Sequence, residues 1–123
     1  GFDGTLQDTI PLSAAQRPLD FAVIGGLPIL AVIDSGTSVV SVYDITVPSA
    51  PVLLNSGTTT SGALVANANG TGSVQWGAIN GDSATLYAMS TNQGIQAFTF
   101  TVPEPATAAF AALGLLGLLR RRR

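Results

Sequence analysis

The chain of 123 residues contains no cysteine and no histidine, and its five basic residues are all arginines. Those absences exclude a disulfide framework, thiolate nucleophiles, an imidazole base, a Ser-His-Asp triad and Cys/His zinc sets. Without the four terminal arginines, Arg17 alone faces seven acids, a net charge of about −6 that argues against nucleic-acid and anionic-membrane partners.

The chain opens on Gly1 rather than Met, and Gly1 to Asp20 has no basic n-region followed by an apolar h-region. It is therefore expected to begin inside a longer protein. From there to Thr101 the pattern is all-β. Phe21 to Ile24, Ile29 to Ile33, Val39 to Ile45, Val52 to Leu54, Leu86 to Met89 and Ile95 to Phe100 are short β-branched or aromatic runs. Gly, Asn, Asp, Ser and Pro clusters separate them. Alternation at Val40-Ser41-Val42 and Phe98-Thr99-Phe100 predicts antiparallel strands with one buried face.

These runs align with one another. Phe21-Ala-Val-Ile-Gly-Gly26 matches Trp76-Gly-Ala-Ile-Asn-Gly81, Leu30-Ala-Val-Ile-Asp34 matches Leu86-Tyr-Ala-Met-Ser90, and Val40-Ser-Val-Tyr-Asp-Ile45 matches Ile95-Gln-Ala-Phe-Thr-Phe100. The separation is about 55, drifting by one residue and returning, as a turn of variable length would cause. Val42-Tyr-Asp-Ile-Thr-Val-Pro-Ser-Ala-Pro-Val52 resembles the strand and turn of bacterial surface β-propellers whose blades carry V-x-D-I/V-S/T-x-P-x-x-P. Thr85 to Phe98 looks like a closing blade of the same kind. The resemblance implies antiparallel four-stranded blades, about two of them, belonging to a larger propeller, since closed propellers have at least about four. A generic pair of β-sandwich hairpins is the competing reading.

The body carboxylates are Asp3, Asp8, Asp20, Asp34, Asp44 and Asp82. Asp34 before Ser35-Gly36 and Asp82 after Gly81 sit where Asp serves local turn hydrogen bonds, and Asp44 is expected to cap the turn after its strand. The spaced acids of an EF-type calcium loop are absent, so neither a metal nor a cofactor is expected, and no catalytic residue is assigned. Trp76, Tyr43, Tyr87, Phe98 and Phe100 suit an inter-sheet core better than a carbohydrate-stacking platform. Asn69-Gly70-Thr71 fits a glycosylation triplet within a run of turn formers.

The tail changes character. Pro103 and Pro105 lack a backbone N–H and fix φ, so Val102-Pro-Glu-Pro105 is predicted to be extended and exposed. Ala106 to Leu119 is apolar on every side and suits a helix of about 21 Å, short of the roughly 30 Å hydrocarbon core. Arg120, Arg121, Arg122 and Arg123 can snorkel and are held on the cytoplasmic side by the positive-inside rule, which leaves the prolines outside. Phe110 and the leucines favour insertion by roughly 3 kcal/mol in sum, against Thr107, Gly114 and Gly117, so membrane retention is marginal. Gly114 and Gly117 are three apart and do not make the four-residue small-residue dimer face.

In this order, at the extreme C terminus, the three parts resemble the PEP-CTERM sorting signal of exported bacterial proteins. The resemblance implies recognition by exosortase, a membrane-embedded cysteine protease or transpeptidase, with cleavage near the motif. It assigns Pro103, Glu104 and Pro105 to recognition. Ala106, Phe110, Leu113, Leu115, Leu116, Leu118 and Leu119 become a transmembrane-type helix, and Arg120 to Arg123 the cytoplasmic stop.

The expectation for the whole chain is thus a β-propeller-like body over 1–101 and a sorting signal over 102–123. The function expected is that of an exported Gram-negative surface or extracellular-matrix protein, not an enzyme. It would pass through an inner-membrane intermediate on exosortase processing, its body binding or organising exopolysaccharide in a biofilm. Two alternatives stand beside it: the end of a lactonase-like propeller enzyme with its active site upstream, and a small β protein anchored permanently by its helix.

Overall fold

The computed structural model describes residues 4–34, 37–58, 72–90, 94–104 and 106–121, with the side chains of 58, 90 and 106–112 outside that description. The elements are β1 (Gln16–Ile24), β2 (Leu27–Asp34), β3 (Val39–Asp44), β4 (Val52–Thr58), β5 (Gly72–Asn80), β6 (Ser83–Ser90), β7 (Gly94–Thr101) and α1 (Ala106–Arg121). All strand pairs are antiparallel, in one sheet ordered β1-β2-β3-β4 and another ordered β5-β6-β7. Every run read from the sequence as a strand falls on one of these elements, apart from Ile45 just past the end of β3.

Two expectations need correction. The second sheet has three strands among the described residues, not the four expected of a blade. After Thr101 the chain meets Pro103, which cannot donate to a ladder, and passes into α1. The transmembrane-type helix is only a short helix: α1 has 16 residues, about 24 Å, and no described helix is long and apolar enough to cross a membrane. Prolines and arginines bound its apolar run too closely.

The first hairpin of each sheet closes in the same way. Gly25 and Gly26, both at positive φ, join Ile24 to Leu27, and Gly81 with φ 62° opens the two-residue turn joining Asn80 to Ser83. Such primed turns match the right-handed twist of the strands and need a residue without Cβ strain. Because both turns have two residues, the first drift in the sequence alignment is not a change of turn length. It is a β-bulge in β5 between Trp76 and Ile79. The drift is undone at the next connection, which runs from Asp34 to Val39 in one sheet and from Ser90 to Gly94 in the other.

Ladder register then defines which residues correspond. Phe21, Leu30 and Tyr43 stand side by side across the first sheet, and Trp76, Leu86 and Phe98 stand side by side across the second. The two rows face differently. Trp76, Leu86 and Phe98 pack between the sheets with Ile24, Ile29, Ile33, Val40 and Val42. Leu30 and Tyr43 lie on the opposite side of the first sheet, with Val32, Ile45, Ile10 and Leu12. Corresponding residues point in the same direction along the stack, so the sheets are stacked head to tail. In a two-fold sandwich both rows would point inward. The sheets touch mainly through β5 on β1 and β2, and at the far end Gly57 of β4 meets the Phe98 ring of β7, where a Cβ would sit 3.3 Å from it.

Candidate functional site: the sorting segment and its junction with the β body

β7 runs straight into the tail, and its last link to the body is Val102. The Val102 N–H donates to the Asp82 carbonyl at 2.8 Å, and its side chain packs half-buried against the inter-sheet core. Gly25 lies beneath it and donates its own N–H to the Gly81 carbonyl at 3.0 Å. The β1–β2 turn, the β5–β6 turn and the start of the tail are therefore latched together at one end of the stack. Gly25 is required there twice over: its φ is +57°, and a Cβ would lie 3.2 Å from Asp82 Cβ and 3.3 Å from Val102 Cγ2. Gly25→Ala is expected to cost about 1–2 kcal/mol from the left-handed backbone alone. It should also loosen Val102, read as a lower denaturation midpoint and faster amide exchange at Val102 in the full chain.

Beyond the latch, Pro103 and Glu104 are exposed coil. Recognition residue Pro105 lies outside the described residues, as do Arg122 and Arg123 of the basic stop. α1 begins at Ala106, and the side chains of Ala106 and Phe110 are likewise not described. Leu113, Leu115, Leu116, Leu118 and Leu119 are all 62–65% exposed. At 100° per residue they are spread around the helix rather than gathered on one side, so no polar face is left to turn to water. Arg120 and Arg121 occupy the last turn, where positive charge complements the helix dipole. An exposed acid flanked by prolines, an all-round apolar rod and a basic end thus follow one another within a single short segment.

The body shows what its polar residues do. Asp44 Oδ1 accepts the Thr46 N–H at 2.8 Å and the Thr46 hydroxyl at 2.6 Å, which is the turn cap expected from the sequence. Asp34 Oδ1 accepts the Thr37 N–H at 2.9 Å, and the Asp82 carbonyl holds Val102. Asp8 Oδ1 accepts the Thr9 N–H. Among the described residues no three acids gather as a metal set. Asp3 and the Asn69-Gly70-Thr71 triplet lie outside the described residues.

Asp20 plays a part that the sequence did not suggest. Its Oδ2 accepts the main-chain N–H of Trp76 at 2.7 Å, across the inter-sheet boundary and 56 residues away. Of the aromatics, Trp76, Phe98 and Phe100 fill the core between the sheets, with Trp76 and Phe100 ring centroids 5.8 Å apart at 58°. Tyr43 lies on the far side of the first sheet, its hydroxyl accepting from Gln16 Nε2 at 2.8 Å. Tyr87 is outward-facing and 44% exposed. A cleft between the outer strands, lined by Val40, Val42, Asn55, Gly57, Leu86 and Phe98 among others, has no titratable side chain among its described lining residues.

No curated protein and no solved structure matches the chain. The family described as PEP-CTERM protein-sorting motif matches residues 101–123, which takes in the exposed proline-flanked acid, α1 and the arginines. The C terminus therefore carries a PEP-CTERM sorting signal, which supports sorting by exosortase and export through the membrane to the cell surface.

Proposed function

We propose that this chain is an exported bacterial surface or extracellular-matrix protein whose β body binds or organises matrix, and whose tail is held in the inner membrane only until exosortase cleaves it near Pro103 to Pro105. The sorting-motif match over residues 101–123 carries this reading. Glu104 is presented in exposed coil just past the last body hydrogen bond, so a membrane-embedded enzyme meets it close to the bilayer. An apolar run of about 21 Å with an arginine end suits brief residence better than lasting anchorage, because it falls short of the hydrocarbon thickness. For the body, head-to-tail stacking of two meanders supports a propeller-like arrangement over a two-fold sandwich. A non-catalytic role fits a chain in which the Asp34 and Asp44 carboxylates serve turns and the Asp20 carboxylate serves the inter-sheet link.

Mass spectrometry of the C terminus isolated from native cells tests this. The expected product lacks residues 106–123 and ends near the Pro-Glu-Pro segment. A chain intact to Arg123 at the cell surface overturns it and makes α1 a permanent anchor.

A further inference from the structure

Head-to-tail stacking leaves two unlike faces, one at each end of the pair of sheets, and each is apolar. At one end, the outward face of the second sheet carries Tyr87, Met89 and Ile95 around a shallow groove that also takes in Gln75. At the other end, β1 presents Leu19, Phe21 and Val23, which are 53%, 53% and 56% exposed.

The ladder gives each face its counterpart inside the molecule. Gln75, Tyr87 and Ala97 stand in the row that corresponds to Asp20, Ala31 and Val42, and Met89 and Ile95 correspond to Ile33 and Val40. In the first sheet those positions are covered by the second sheet, and Asp20 there accepts a main-chain N–H from it. In the second sheet the same positions are open, and Gln75 offers a side-chain carbonyl where Asp20 offers its carboxylate. The face is thus built like one that another sheet already covers.

What covers it must resemble the inward face of the second sheet, whose innermost strand β5 makes the main contact. The strand corresponding to β5 is β1, with Phe21 in the ladder place of Trp76. Ile10 and Leu12 cover Leu30 and Val32 of β2 and Ile45 just past β3 on that face, and leave the β1 row uncovered. A contact between unlike faces is heterologous, and repetition builds a ring if the rotation closes or a filament if it does not.

We propose that copies of this chain assemble head to tail, the β1 row of one copy seating on the Tyr87, Met89 and Ile95 face of the next. The inference concerns the body alone and does not rest on the sorting signal.

The test uses the full chain in mild detergent, with sedimentation followed over a concentration series. Wild type is expected to form oligomers beyond the dimer. Ile95→Asp blocks one face and Val23→Asp the other, and each alone should weaken self-association about tenfold or more by placing a charge in the contact. Mixed together they should form a one-to-one heterodimer of wild-type strength, because each retains the face the other has lost. Both sites are more than half exposed, so far-ultraviolet dichroism and melting should match wild type; if Val23→Asp misfolds, Leu19→Asp replaces it. A monomeric wild type, association that survives in both variants through α1 or another surface, or failure of the mixture to pair would each overturn the proposal.

Discussion

Glu104→Gln is expected to slow C-terminal processing about tenfold to a hundredfold in cells that carry exosortase, while leaving export and folding of the body untouched. The number follows from chemistry. Hydrogen bonds to a charged group contribute about 1.5–3 kcal/mol, and each 1.36 kcal/mol of lost transition-state stabilisation is about tenfold in rate. Glu104 is the tail's only acid and lies in exposed coil between Val102, which is held by Asp82, and α1. Its side chain is exposed, so the melting curve should not move. Pro103→Ala tests the other half of the motif: it frees φ and restores an N–H, which raises the entropy lost when the segment is held extended. The measurement is a pulse-chase immunoblot of full-length and trimmed chain, with a host lacking the enzyme as the zero point. Processing of Glu104→Gln at the wild-type rate would show that the glutamate is not read.

The tail was legible from sequence because its chemistry is local. Prolines, an apolar run and terminal arginines act through their neighbours along the chain, and the matched segment coincides with them. The strands were legible for a similar reason, since Ile29 to Ile33 and Val39 to Ile45 are dense enough in β-branched residues to stand out. β5 was less so: Gly72-Ser-Val-Gln-Trp alternates, but half its side chains are small or polar, and it was found only through its likeness to Phe21 to Gly26. Direction of stacking could not be read at all. A period of two says that Phe21 and Leu19 share a face, not which sheet that face meets. The Asp20 to Trp76 bond and the seat of Val102 on Gly25 are contacts between residues distant in sequence, with no pattern along the chain to announce them.

That bond sets the second large effect, at Trp76. Its ring is 8% exposed, fills the core against Phe100, and corresponds by ladder position to the half-exposed Phe21 of the first sheet. Trp76→Ala removes the largest side chain of the inter-sheet layer and is expected to cost about 3–5 kcal/mol, most of it as a cavity between β5 and the first sheet. Stability of small domains is about 5–15 kcal/mol in total, so the second sheet should lose its seat or the body should fail to accumulate. Trp76→Phe is the control. Among the described residues Trp76 Nε1 is buried without a partner, and replacing the indole removes that donor while keeping most of the volume. Its net cost should stay below about 1.5 kcal/mol. Asp20→Ala leaves the ring in place but strips the Trp76 main-chain N–H of its acceptor, at about 1–3 kcal/mol. Far-ultraviolet dichroism in denaturant follows all three, because Trp76 is the chain's one tryptophan and its fluorescence is lost in two of them. The order expected is Trp76→Ala worst, Asp20→Ala next and Trp76→Phe mildest. If Asp20→Ala were silent, the sheets would be held by the ring alone; if Trp76→Ala were no worse than Trp76→Phe, the inter-sheet core would not be what joins the two halves of this body.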